Sequence, residues 1–367
     1  MLSSLQDIDW RGFLARPRLP SPPPEALDAL AQHSILITGA GGSIGSALAL
    51  RLGALLPPKL VLLEASESNL YALQRDWAAA GIASRRSFIL GSAADGALLE
   101  EVFSAHAPRI VFHAAAFKHV PLMEEQPLAA IANNIFATET LVSVASAHDA
   151  RMVLLSTDKA VAPASVMGAT KRVAEQIVLA SGGTVLRLGN VLASRNSVAE
   201  VFARQIAQGG PITITDAAAR RYFLTLDEAV NLLLTAAAYS EQSTLLAPVL
   251  PATHSIANLA RFMARELAPG REIAIDFIGN RPGDKESEEL WSPAERASTV
   301  GIDGMAAVET ALPAAPQLAG RLASLRAALD ARDLGDALAH LCALVPDYTP
   351  SQTVLALAQQ RGPRVCL

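Results

Sequence analysis

Between residues 34 and 190 six short apolar runs recur, SILIT, KLVLLE, SFIL, RIVFHAA, RMVLLS and TVLRLG, separated by longer Ala/Leu-rich stretches of helical pattern. Strands this apolar are buried on both faces, and strands that alternate with helices require a parallel sheet covered on both sides. The expected fold is therefore α/β, a Rossmann-type doubly wound parallel sheet. Near Asn190 the alternation gives way to Gly/Pro-punctuated pieces (QGGPITIT, GNRPGDK) and separate helices, which reads as a smaller C-terminal α/β lobe. The division expected is an N-terminal Pro-rich strap over 1–33, a nucleotide-binding domain over 34–190, a mainly substrate-binding lobe over 191–350 with segments returning to the first domain, and a tail over 351–367.

Composition excludes several classes. Lys and Arg total 30 against 35 Asp and Glu, a formal charge of -5 without a basic block, so no nucleic-acid partner is expected. The long uncharged run from Gln242 to Ala260 is broken by prolines and polar residues, and no integral membrane segment is expected. Asp7, Asp9 and Arg11 interrupt the place where a signal peptide needs an apolar core, which points to the cytoplasm. Cys342 and Cys366 have no second ligand cluster near them, so neither a disulfide framework nor a metal site is expected.

The first strand runs into TGAGGSIGS. Gly39, Gly42 and Gly45 let the backbone turn sharply toward a pyrophosphate, and the free N–H groups of the helix start at Ser43 and Ile44 favour its charge. A ligand-free glycine turn is the bland alternative. The second strand ends in Glu64, where a carboxylate accepts hydrogen bonds from a ribose and repels a 2′-phosphate, so NAD is favoured over NADP; a solvated strand end is the competing account. The fourth strand leads into HAAAFKHVP, whose Ala114, Ala115 and Ala116 permit close contact with a dinucleotide. Lys118 and His119 leave the same carboxyl end, where open α/β sheets bind ligands, although singly each could be a solvated loop residue. Asn133 and Asn134 sit in an apolar helix and need partners if buried, so one of them braces a neighbouring loop. The fifth strand delivers Ser156, Thr157, Asp158 and Lys159, an acid and a base within reach of one sugar ring, with Met167 and Lys171 following on a helix. Asp158 could instead be a turn or capping residue.

Taken together, TGAGGSIGS, HAAAFKHVPLMEEQP, STDKAVAP, VMGATKR, LRLGNVLASRNSV, GGPITIT, RRYFLTLDEAV and RPGDK resemble the extended short-chain dehydrogenase/reductase family. Within it the chain is similar to the CapD/WbpM/PglF-type nucleotide-sugar 4,6-dehydratases of polysaccharide and glycan biosynthesis. The resemblance implies a UDP-N-acetylhexosamine substrate, most simply UDP-GlcNAc, a UDP-4-keto-6-deoxy product and tightly held NAD. It puts Asp158 in the acid role, Lys159 in the base role, Thr157 beside the C4 hydroxyl and Lys171 on the nicotinamide ribose. Asn190, Arg195, Arg221 and Arg281 fall in segments that line the nucleotide-sugar side. It further implies a homo-oligomer, dimer or larger, paired through helices of the nucleotide domain. LQDIDWRGFLARP is similar to the lead-in that joins a membrane-spanning half in longer members, a half not expected in this chain.

Three positions depart from the wider pattern. Met167 stands where short-chain dehydrogenases usually carry a proton-exchanging tyrosine, a feature shared with the membrane-linked dehydratases; Gly91-Ser92-Ala93 replaces an acidic stretch that contacts adenine; and Glu286 and Ser287 replace an apolar and an aromatic residue. A 4-epimerase or 4-keto reductase, or a non-catalytic NAD-binding regulatory protein, are the alternatives. The Asp158-Lys159 pair would have no task in either.

Overall fold

The computed structural model describes residues 5, 8–239 and 243–360. Its main sheet is built from β1 (Ile35–Thr38), β2 (Leu60–Glu64), β3 (Arg86–Leu90), β4 (Ile110–His113), β5 (Arg151–Thr157) and β6 (Thr184–Leu188), in the spatial order β3-β2-β1-β4-β5-β6. All these neighbours pair in parallel. The strand Thr244–Pro248 extends the sheet in parallel beside β6, and Met305–Glu309 and Arg296–Thr299 add two antiparallel strands at that edge. This is the doubly wound sheet that the apolar runs require, and its order reverses between β1 and β4, where a ligand crevice opens at the carboxyl ends.

Every residue of β1, β2, β4 and β6 is buried. That explains why their sequences show no alternation. Helix starts carry side-chain caps that satisfy free N–H groups: Ser66, Asp95, Ser165 and Ser255 each accept from a backbone amide in the first turn, and Thr225 with Glu228 forms a capping box.

The second lobe packs helices Val198–Ala207 and Ile256–Leu267 around Phe202, Ile206, Leu259 and Met263, with short strand pairs at its rim. The folded body begins earlier than the Ser34 expected from sequence. Ile8, Phe13 and Leu14 are buried in this lobe, Phe13 lying against the rings of Phe223, His254 and Phe262. Arg16 then clasps the Glu228 carboxylate at 2.7 and 2.8 Å, with both side chains almost wholly buried. Two adjacent apolar anchors carry no periodicity, so a Pro-rich strap conceals them.

Two C-terminal helices, Ala315–Asp330 and Leu334–Leu344, lay Leu318, Leu322, Leu325, Leu338 and Leu341 onto the nucleotide domain. Of the expected tail, Gln352–Gln360 is helical, while 361–367, including Cys366, lie outside the described residues. Pro127–Ala147 is long and apolar enough to cross a membrane by length and composition. Most of it is buried in the protein, however, and its middle, Ile131–Phe136, is a π-helix.

Candidate active site

A cleft of about 600 Å³ opens at the carboxyl ends of β1, β2, β4, β5 and β6. Its lining includes Gly39, Gly42, Ser43, Ile44, Gly45, Glu64, Ala114, Ala115, Lys118, His119, Thr157, Lys159, Met167, Lys171, Asn190 and Arg195. These positions, singled out in the sequence, thus meet around one space together with Ala116, Asn133 and Ser156; Asp158, Arg221 and Arg281 are outside the lining.

On the β1 side, Gly39 has φ +68°, and a Cβ there would lie 2.6 Å from the Ala115 amide nitrogen. Only glycine allows the turn and the Ala114–Ala115 backbone to approach so closely. Glu64 is buried beside this turn, accepting from the amides of Gly41 and Ser66 at 2.9 Å each. Each carboxylate oxygen keeps lone-pair capacity for a ribose hydroxyl. Gly41 and Ser66, not singled out from sequence, thus orient Glu64 together. Behind the turn His113 lies 2.7 Å from Thr38 Oγ1 and 3.0 Å from Thr138 Oγ1. Complete burial, helped by the nearby Lys171 charge, pushes its pKa down to about 3, so this wall is neutral.

Arg195 lines the cleft beside the glycine turn. Its backbone N–H donates to Ser43 Oγ at 2.8 Å and its guanidinium to the Gly41 carbonyl at 2.9 Å, while Lys118 Nζ donates to the Arg195 carbonyl at 2.8 Å. It sits on the glycine turn. Arg221 is buried and spends its guanidinium on the carbonyls of Arg220, Glu286 and Lys285, and Arg281 is exposed on its loop. Neither is among the residues that line the cleft, and Arg221 is held instead on the Lys285–Glu286 backbone.

The floor is built at the end of β5. Thr157 Oγ1 donates to Asp158 Oδ1 at 2.9 Å, and Lys159 Nζ donates to the same oxygen at 2.9 Å and to Asn190 Oδ1 at 3.0 Å. Asp158 is fully buried, and its Oδ2 has no hydrogen-bond partner among the described residues. Burial alone would lower the Lys159 pKa, but Asp158 and Glu288 outweigh it and hold the ammonium above its ordinary range. Glu288 is another residue that the sequence reading passed over. Its signal was faint, one Glu among several in DKESEEL.

Met167 and Lys171 come from the helix Val166–Ala180, whose first amide is held by Glu124 Oε1 at 2.8 Å. A Cβ on Gly168 would lie 2.2 Å from the Lys159 carbonyl, so glycine is what lets this helix press against the Asp158–Lys159 turn. Met167 is a buried wall. Lys171 donates to the Leu155 carbonyl at 2.7 Å, and burial, partly opposed by Glu175, brings its pKa down to about 8. Asn134 binds the Phe117 amide and carbonyl at 2.8 and 3.0 Å and so braces the Ala114–His119 loop from the π-helix. The glycine turn, Glu64, the alanine wall and Lys171 fit a dinucleotide, and Thr157 and Lys159 line the same cleft.

A family model described as "Polysaccharide biosynthesis protein" matches residues 35–310. The capsular polysaccharide biosynthesis protein CapD of Staphylococcus aureus is 38% identical over 277 residues, 72% of this chain and 46% of that protein. The chain thus spans about half the length of that curated relative. A UDP-glucose 4-epimerase of Rickettsia canadensis is 34% identical over 72% of this chain and 79% of its own. Among solved structures, Pen from Bacillus thuringiensis superposes with a TM-score of 0.71 at 28% identity, covering 78% of this chain and 90% of Pen.

Proposed function

From the premise that the chain belongs to the polysaccharide biosynthesis protein family, we propose that it is an NAD-dependent nucleotide-sugar 4,6-dehydratase acting on a UDP-N-acetylhexosamine, most simply UDP-GlcNAc. The observation that carries this reading is the hydrogen-bonded chain Thr157–Asp158–Lys159 at the cleft floor, beside a methionine rather than a proton-exchanging phenol. Bound in the cradle, NAD would supply a reversible acceptor that takes a hydride from C4 and returns it to C6.

Around that exchange the protein's own groups move protons. Thr157 Oγ1 accepts the C4 hydroxyl proton as its own proton passes to Asp158 Oδ1, over the 2.9 Å bond. Asp158, which has no exposed surface, gives that proton back through Thr157 Oγ1 to the C6 hydroxyl, which departs as water. Lys159, as the amine, takes the C5 proton made acidic by the adjacent ketone and later returns it to C5. The resting Lys159–Asp158 ion pair must therefore shed one proton first, so activity rises with pH through the Lys159 titration. Lys171 and Glu64 hold the ribose groups at the two ends of the cleft, and Met167 excludes water without exchanging protons.

The test is incubation of the protein with UDP-GlcNAc and NAD, followed by mass spectrometry. Loss of one water from the sugar nucleotide is the expected result. A product of unchanged mass would instead favour 4-epimerisation, a second reading that the Rickettsia canadensis relative supports by its name.

A further inference from the structure

Glu288 follows the Arg281–Lys285 loop of the second lobe, with 3% of its surface exposed. Three cations surround its carboxylate: Lys285 Nζ at 3.3 Å, Lys159 Nζ at 3.7 Å and Arg221 Nε at 3.8 Å. Its Oε2 has no hydrogen-bond partner among the described residues. The segment itself is fixed on both sides. Arg220 N–H and the Arg221 guanidinium donate to the Glu286 carbonyl, and Lys285 Nζ donates to the Val161 carbonyl at 2.9 Å, just past the Asp158–Lys159 turn. A carboxylate buried this deeply is costly unless a charge answers it. The only one of its three cations that faces the cleft is Lys159.

We propose that Glu288 is a positioning residue, the second carboxylate of Lys159, which holds the ammonium in place from the second lobe while Asp158 is occupied with its own proton. The proposal rests on the dehydratase reading above for its catalytic meaning, but the charge pairing stands on the distances alone. When Lys159 takes the C5 proton, its nitrogen gains a bond to hydrogen and a positive charge. At that moment Asp158 is a neutral acid about to protonate O6. Glu288 is then the remaining anion within 4 Å of the new ammonium. When Lys159 returns the proton to C5, the charge disappears again, so Glu288 itself gains and loses nothing.

The groups facing Lys159 are Asp158 on its own turn, Glu288 and Arg221 from the second lobe, and Asn190 from the segment after β6. Glu288→Gln keeps the shape and removes one anion, leaving Arg221 and Lys285 to repel the Lys159 charge. An opposite charge at this range moves a pKa by roughly 1–3 units, so the variant should release its Lys159 proton at least about one pH unit earlier. The chain has five lysines, so each Cε signal can be followed by NMR in lysine-labelled protein, with Lys159→Met supplying the assignment. The pH dependence of kcat/KM provides the second arm, and its rising limb should move to lower pH by the same amount in Glu288→Gln. Glu288→Asp, which keeps the charge, should keep the wild-type titration and shows that the site still folds. A Glu288→Gln protein whose Lys159 titrates with the wild type overturns the proposal. If the Lys159 signal shifts but the wild type removes no water from UDP-GlcNAc, the pairing stands and the dehydratase reading fails.

Discussion

Replacing Glu295 with Gln removes one of two carboxylates that answer Arg187, a guanidinium with no exposed surface. Arg187 binds Glu175 at 2.8 and 2.9 Å and Glu295 at 2.9 Å through both terminal nitrogens, and Arg172 bridges the same two carboxylates at 3.0 Å. Burial raises the Glu295 pKa, but the hydrogen bonds and charge of Arg187, with smaller help from the Ser292 amide and Arg172, hold it down to about 2 from 4.5. At ~1.4 kcal/mol per unit the gap corresponds to about 3 kcal/mol, or roughly 2–3 after allowance for solvent at the edge of the pair. Breaking a buried pair from one side costs about 3–5 kcal/mol, so the two routes agree. Because the folded pKa lies below the unfolded one, the contribution is complete above pH 4.5 and is lost as pH falls toward 2. Urea unfolding at neutral pH should therefore show the midpoint of Glu295→Gln lowered by about 1 M, taking a slope of about 3 kcal/mol per M. The wild type should give back about 0.8 kcal/mol of its advantage by about pH 4. An advantage that stays constant between neutral pH and pH 4 refutes the reasoning, and so does a midpoint that does not move.

Three further outcomes follow from the cleft. Asp158→Asn and Lys159→Ala should each lower turnover by roughly 10²- to 10⁴-fold while NAD binding, measured by titration, is kept. Met167→Leu should retain most activity, whereas Thr157→Val should slow the appearance of NADH absorbance in a single turnover; the reverse pattern would make the methionine the functional residue. Competitive binding should favour NAD over NADP, because Glu64, held by the Gly41 and Ser66 amides, would face a 2′-phosphate at close range, and parity between the two would remove Glu64 from that role.

The parallel sheet was legible because strands buried on both faces leave uninterrupted apolar runs, and the glycine turn because its sterics admit no other residue at Gly39. Thr157, Asp158 and Lys159 were legible as neighbours at one strand end. What escaped was contact between distant segments. Glu288 and Glu295 look like solvated charges in sequence, and nothing in their local spacing announces partners more than 100 residues away at Lys159 and Arg187. Arg195 falls by resemblance in a segment that lines the nucleotide-sugar side, but its hydrogen bond to the Gly41 carbonyl joins segments more than 150 residues apart and has no local signal. The π-helix escaped for another reason. The wider i→i+5 pairing changes the backbone without changing composition, although polarity alone marked Asn133 and Asn134 as a pair of which at least one braces a loop, and it is Asn134 that does so.

The helix that carries Met167 and Lys171 has only Arg172 and Ala180 outside the buried class along its fifteen residues. One flank rests on the sheet, and on another the Gln176 side chain donates to the Leu344 carbonyl of the C-terminal helices. A neighbouring copy of the chain has nothing to grip there. The lysine and the methionine wall are therefore packed by segments of their own chain, and a contact between copies would meet other surfaces first.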